Sequence, residues 1–193
     1  MAPVLDPTSV PAWARVPGAQ PVDPAAASCT ILSYGVRSLA AGWSSELTDL
    51  GIGHRILVLA PGDQAREQRL LTEELQRAVV GWRLMLVGPL ADVLRARARA
   101  LEAGLLAAEI IVSTTEVERI PVVCVHCRAL TLATTLAATL AATLAARPRT
   151  QLLTCDGCSA TLAVQDHLSP LAGGFLGVRH DAEQPVDARA GLA

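Results

Sequence analysis

Two pairs of cysteines carry the chemistry of this sequence. Cys124 and Cys127 stand two residues apart in "VVCVHCRAL", and Cys155 and Cys158 repeat that spacing in "TCDGCSATLAVQDHLSP". A tight turn with this spacing aims two thiolates at one ion, and two such turns enclose it in a tetrahedron with no position left for water. The four cysteines are therefore candidate ligands of a structural zinc ion. The pairs are separated by 27 residues, more than the usual gap of about 15 to 20. The excess lies in "TLATTLAATLAATLAA" (131–146), a Leu-Ala-Ala-Thr repeat. Removing two repeats brings the gap to about 19, so the tract reads as a low-complexity insertion between two knuckles, a helix or arm lengthened by repeat slippage. Its uncharged run approaches the length of a membrane span, but Ala and Thr leave it too weakly apolar to insert.

Three other chemistries use the same cysteines. Iron held by four thiolates, as in rubredoxin, would make an electron carrier, yet such knuckles carry glycine after the second cysteine and this chain has Arg128 and Ser159. A redox dithiol explains one C-x-x-C and leaves the other unused. A zinc-ribbon regulator of nucleic acid would want arginines where "SATLAVQDHL" is apolar and acidic. His126, inside the first knuckle, could replace a cysteine, but four thiolates already complete the shell. Asp166 and His167 could suggest acid–base chemistry; with no nucleophile or second base beside them, His167 reads as a structural histidine. Cys29 reads as a small buried residue.

These residues must be positioned by elements the pattern also outlines. "CTILSYGV" (29–36), "HRILVLAPG" (54–62), "WRLMLVG" (82–88) and "AEIIVST" (108–114) are uncharged or nearly uncharged strand-like runs. Between them, "SLAAGWSSELTDLG" is a short helix or loop and "DQAREQRLLTEELQRAV" an amphipathic helix capped by Asp63. On that helix Leu70, Leu71, Leu75, Ala78 and Val79 point inward and Arg66, Glu67, Glu73, Glu74 and Arg77 outward. "PLADVLRARARALEAG" is a second helix, with Pro89 near its start, Gly104 past its end, and Arg95, Arg99 and Glu102 outward. Apolar strands alternating with helices predict a small parallel sheet with flanking helices. "APGDQ" and "VGPLAD" lie at the strand ends where such sheets bind nucleotides, but no G-x-G-x-x-G is present, so the sheet reads as scaffold. "RIPVVC", "TQLLTC" and "SATLAVQD" are short antiparallel strands leading into and out of the knuckles.

Composition bounds the rest. The 193 residues are 51% hydrophobic and only 3% aromatic, so the core is built from Leu, Val, Ile and Ala. A formal charge of −2 gives no electrostatic attraction to nucleic acid or an anionic membrane. Residues 1–28 are rich in Pro, Ala and Asp without periodicity, which predicts a disordered leader in which Trp13 is loosely held. That leader lacks a basic start and an apolar core, so a cytoplasmic protein is expected, and five cysteines, four of them paired in sequence, suit metal ligation in a reducing compartment. The expected organisation is the leader, an α/β domain over 29–118, a zinc-ribbon-like domain over 119–183 and a flexible tail over 184–193.

The C-terminal run "CDGCSATLAVQDHLSPLAGGFLGVRHDAE" resembles the C-terminal domain of the dimethylamine monooxygenase subunit DmmA-like family. The matching residues are Cys155, Cys158, Leu162, Val164, Asp166, His167, Ser169, Gly177, Val178, Asp181, Ala182 and Glu183, with "CVHC" as the upstream knuckle. "LVGPLADVLRARARALEAGLLAAEI" is similar, more vaguely, to the nicotinamide-binding lobe of ferredoxin reductases without its glycine-rich loop. Leu168 and Pro170-Leu171 replace the aromatic and basic pair that the family usually carries there. The resemblance implies an accessory subunit, not catalytic alone, of a multi-component heme-dependent oxidative N-demethylase. Its partners would be a heme-containing monooxygenase subunit and a flavin and iron–sulfur reductase subunit. It would bear structural Zn2+ and no heme, flavin or iron–sulfur cluster of its own.

Overall fold

A computed structural model describes residues 10–134 and 152–180. Most of the low-complexity insertion, the expected tail and Asp181, Ala182 and Glu183 lie outside the described residues. A 3-10 turn (Ala12–Ala14) and β1 (Gly18–Ala19) lead into β2 (Ser28–Tyr34), α1 (Arg37–Asp49), β3 (Gly53–Leu59), α2 (Gln64–Arg77), β4 (Trp82–Pro89), α3 (Leu90–Glu102) and β5 (Ile110–Glu116). The strands form one sheet in the order β1-β5-β4-β2-β3, in which β5, β4, β2 and β3 are parallel and β1 is antiparallel to β5. The expected parallel sheet is present, with α1 on one face and α2 and α3 on the other.

Local sequence explains the helix limits. Asp63 caps α2 by accepting from Arg66 N. Pro89 stands immediately before α3, where its missing N–H costs nothing, and Gly104, two residues past the helix end, takes φ of 102°. The sheet core is aliphatic: Ile31, Leu32, Leu84, Met85, Leu86, Val87 and Val112 are all buried.

Two expectations are overturned here. Residues 10–28 are part of the fold, not a disordered leader. One helix cannot cover a five-stranded sheet, and the proline-rich stretch completes that face: Val22 and Ala26 are buried against Ile31, Met85, Val87 and Ile111. Gln20 holds it in place through its N–H to Val112 O (3.0 Å) and its side-chain oxygen from Val112 N (2.7 Å). Trp13 packs between the two other cores, with the Arg97 guanidinium 5.7 Å from its ring centroid and its carbonyl accepting from Thr114 Oγ1 (2.6 Å).

Second, Glu67 and Glu74 are buried instead of facing water. They fall on the same stripe of α2 as Leu71, at spacings of four and seven, so the apolar face of this helix carries carboxylates. Arg95 and Arg99 of α3 turn toward Glu67, at 2.6 and 2.8 Å, and Tyr34 donates to it at 2.7 Å. Arg95 also meets Asp92 (2.5 Å), whose carboxylate accepts from Gly62 N (3.1 Å). Burial works against the charge on Arg95, but the Glu67 and Asp92 carboxylates outweigh it and raise its pKa. Glu74 is likewise satisfied by Thr30 and Arg55. The turns "APGDQ" and "VGPLAD" are thus tied to each other by Asp92, and Gly88 is there for packing: a Cβ on it would lie 2.6 Å from Tyr34 Cβ.

The second sheet contains β6 (Arg119–Cys124), β7 (Leu130–Thr134), β8 (Leu152–Thr154), β9 (Thr161–Ser169) and β10 (Gly174–Arg179), in the order β7-β6-β10-β9-β8. The first residues of the repeat tract, from Thr131 to Thr134, form part of β7 rather than an insertion. Antiparallel pairing was expected throughout, but β10 runs parallel to β6 and so joins two hairpins into one sheet. α3 packs against β4 and β5 on one side and β6 and β10 on the other, which explains why its alanines Ala96, Ala98 and Ala100 are buried along with Leu90, Val93 and Leu94.

Candidate metal centre

Two hairpins of the second sheet, β6–β7 and β8–β9, each turn through a knuckle. In the first, Cys124 closes β6, its N–H bonds Ala129 O (3.0 Å), and Arg128 N bonds Cys124 O (2.8 Å). The second repeats these bonds: Cys155 N to Ala160 O (2.9 Å) and Ser159 N to Cys155 O (2.9 Å). Arg128 and Ser159 have φ of 63° and 58°. The residue after the second cysteine is therefore left-handed in both turns, although neither is glycine.

The strand register brings the knuckles together. β10 pairs with β6 through Gly177 and Cys124 and with β9 through Gly177 and Val164, so one central strand sets both turns at the same end of the sheet. Gly177 allows the approach: a Cβ there would lie 2.8 Å from Val122 and 2.9 Å from Leu162. The sulfur atoms of Cys124, Cys127, Cys155 and Cys158 all fall within 4.8 Å of one another. Cys127 Sγ is 3.5 Å from Cys155 Sγ, and Cys124 Sγ is 3.9 Å from Cys158 Sγ. Four thiolates at about 2.3 Å from a tetrahedral ion stand about 3.8 Å apart. The separations fit that figure and exceed a disulfide bond, and all four thiols are free.

The surroundings of Cys155 favour thiolate. Backbone N–H groups of Cys158 and Gly157 point at Cys155 Sγ, the latter at 3.4 Å, and draw the pKa of that thiol down to about 6. In Cys127 the N–H of Ala129 acts the same way but is outweighed by desolvation and by the hydrogen bonds it shares with the other cysteines, which leave the proton on this sulfur. Cys124 and Cys155 are buried, Cys158 is partly covered and Cys127 is exposed. Gly157 lies against the first knuckle, where a Cβ would meet Ala129 Cβ at 2.5 Å and Cys127 Sγ at 3.0 Å. These four cysteines could hold a metal ion, and four sulfur ligands would leave it no open position for a substrate.

The other candidates lie apart from this group. His126 is exposed at the tip of the first knuckle and is not among the clustered ligands. Asp166 and His167 are both exposed on β9, where the pairing with β10 is irregular, and neither is among the clustered ligands. Cys29 is buried in the first sheet, as expected, and burial raises its thiol pKa. The carboxylate and arginine cluster of α2 and α3 was missed from sequence; its one signal was glutamate recurring at 67 and 74 on the stripe of Leu71.

Among the described residues no helix is long and apolar enough to cross a membrane. No solved structure matches the chain. A curated relative, the heme-dependent oxidative N-demethylase delta subunit of Ectopseudomonas mendocina (strain ymp), is 38% identical over 118 residues, 61% of this chain and 59% of the relative. Residues 121–178, which carry both knuckles, match the family described as dimethylamine monooxygenase subunit DmmA-like, C-terminal domain, and the resemblance drawn from Cys155 to Val178 is borne out.

Proposed function

We propose that this chain is a non-catalytic accessory subunit of a multi-component heme-dependent oxidative N-demethylase, with zinc at Cys124, Cys127, Cys155 and Cys158 as a structural cross-link. The observation that carries this reading is the coincidence of the family match over 121–178 with a closed four-thiolate cluster. The chain's own residues supply a scaffold: the ion would lock the β6–β7 and β8–β9 hairpins about β10, and metal-binding free energy would become folding free energy. Oxygen activation and removal of a methyl group from a secondary amine would fall to a heme-containing monooxygenase subunit. Electrons would come from a flavin and iron–sulfur reductase subunit, all within the cytoplasm. The α/β part over 29–118, extended by residues 10–28, would act as the platform that carries the metal domain.

Iron in the same cluster is the second reading, and one observation favours it. Arg128 and Ser159 adopt the left-handed backbone for which iron knuckles use glycine, so the missing glycine no longer counts against an electron carrier. Metal analysis and a visible spectrum of the purified chain decide between them. One zinc per chain and no colour supports the scaffold, whereas iron with charge-transfer bands places this subunit on the electron path. Co-expression with a heme subunit tests the assembly: the two should purify together and N-demethylate a secondary amine faster than the heme subunit alone. Failure to associate at micromolar concentration would sink the accessory role.

A further inference from the structure

A cleft of about 360 Å³ opens on the α1 face of the first sheet, beside the edge strand β1. Its walls come from α1, from the chain just after β1 and from β5. Leu39, Gly42 and Glu46 follow one another on α1 at spacings of three and four, so they share one side of the helix. Trp43 donates its Nε1–H to Gln20 O (3.1 Å) and ties that helix to the chain after β1, where Pro21 adds to the wall. Ser113 enters from β5. It pairs with Val87 of β4, whose side chain lies in the core beneath α1, and residues paired across strands share a face, so the Ser113 side chain points to the same side of the sheet. The volume is at the low end of small-molecule sites, about 300 to 1000 Å³.

Two features of the lining select a ligand. Ser113 is 1% exposed, and its Oγ is the one buried side-chain polar atom without a hydrogen-bond partner among the described residues. A buried hydroxyl is ordinarily paired, so one left open against a cleft calls for a polar group from outside the chain. Glu46 is the second feature. It is the sole charged residue of the lining and forms no ion pair among the described residues, so the cleft attracts a cation and repels an anion. The remaining surface is apolar. Leu39, still 39% exposed, and Pro21 offer contact to alkyl groups, and the Trp43 indole adds the attraction of an aromatic ring for an ammonium ion. A bare metal ion is poorly served, because one carboxylate and one hydroxyl are far short of the six or more oxygens that a hard cation takes.

We propose that this cleft binds a small alkylammonium ion, which donates an N–H to Ser113 Oγ, holds its charge beside the Glu46 carboxylate and rests its alkyl groups on Leu39, Pro21 and Trp43. The first sheet is then a ligand-binding element as well as a platform for the metal domain. The proposal is independent of the metal's identity and of the N-demethylase reading.

Titration calorimetry of the full chain with diethylammonium chloride is the test, and saturable binding at one site per chain is expected. Ser113→Ala should weaken it about tenfold or more, the worth of a hydrogen bond to a charged group. The same variant should keep its melting temperature, since the hydroxyl it loses has no partner within the chain. Gly42→Leu should abolish binding with the fold intact, because a Cβ on Gly42 meets nothing within 4 Å and the larger side chain would fill the cleft. Tetramethylammonium carries the same charge without an N–H. It should bind about tenfold more weakly than diethylammonium and be indifferent to Ser113→Ala. No saturable binding, or binding that survives both Ser113→Ala and Gly42→Leu, would overturn the proposal. A fall in the melting temperature of Ser113→Ala would mean that an ordered water already satisfies the hydroxyl, and would overturn it equally.

Discussion

Arg128 and Ser159 occupy the same place in two separate turns: each follows the second cysteine of its knuckle, donates its N–H to the carbonyl of the first cysteine, and has φ near 60°. A left-handed residue with a Cβ is strained by about 1 kcal/mol or more. Arg128→Gly and Ser159→Gly should each stabilise the second sheet, by up to about 1 kcal/mol because glycine gives back part of the gain as chain entropy. The midpoint of unfolding in a chelator-free denaturant series checks this, and a fall in both variants would show that the side chains contribute more than the strain costs.

The knuckles differ at their tips. Gly157 is pressed against Ala129 and Cys127, whereas His126, one residue before the second cysteine of the other knuckle, is exposed. Gly157→Ala should therefore push the second turn away from Cys127 and weaken metal retention about tenfold or more, the scale of a disturbed ligand environment. His126→Ala should leave it unchanged. Competition with a coloured chelator measures both, and equal behaviour of the two variants would remove the distinction.

Across the α2–α3 contact the decisive interaction is ionic. Glu67 is fully buried and receives Tyr34, Arg95 and Arg99. Glu67→Gln should cost about 3 kcal/mol, the low end for breaking a buried pair because Arg95 keeps Asp92. Glu73→Gln, on an exposed residue of the same helix, should change stability by no more than about 0.5 kcal/mol. Urea unfolding of the two variants side by side tests the contrast.

That cluster marks the limit of what the sequence alone reveals. The four cysteines were legible because a knuckle is local: two residues of spacing define the turn whatever surrounds it. Their union was not, since it depends on β10 pairing parallel with β6, and no pattern within 174–179 states a pairing direction. Glu67 and Glu74 were assigned to solvent because charge on an amphipathic helix ordinarily faces water; the arginines that satisfy Glu67 lie on another helix, 28 and 32 residues along the chain. The parallel sheet itself was readable from its nearly uncharged strands, of which β2 and β4 at the centre are apolar because both their faces are covered.

Tyr34 links this cluster to pH. Burial first, and then the Glu67 carboxylate, raise its pKa far above the ordinary value. A raised folded-state pKa leaves stability intact below the unfolded value of about 10 and removes it as pH climbs above that point. The protein should thus lose stability above pH of about 10, and Tyr34→Phe should flatten the decline at a cost of about 1 kcal/mol near neutrality. This is the one tyrosine of the chain, so tyrosinate absorbance reports on it directly. It should appear only as the protein unfolds, and ionisation of the folded protein near the ordinary value would contradict the buried hydrogen bond.

Removal of residues 1–27 tests whether the proline-rich stretch is a structural part of the first sheet. It exposes one side of Ile31, Met85, Val87 and Ile111, where Val22 and Ala26 now lie, and strips the Trp43 indole of its acceptor at Gln20 O (3.1 Å). It also removes both Gln20 bonds to Val112 and the packing of Trp13 between the two other cores. Uncovering several aliphatic side chains at about 1.5 to 3 kcal/mol each consumes most of the stability of a domain this size. The truncated chain should be insoluble or melt far below the full-length protein. A smaller lesion, Val22→Asp, places an unpaired charge in the same core and should cost about 3 kcal/mol or more. A truncated protein with unchanged melting temperature would mean that the stretch rests on the sheet without supporting it.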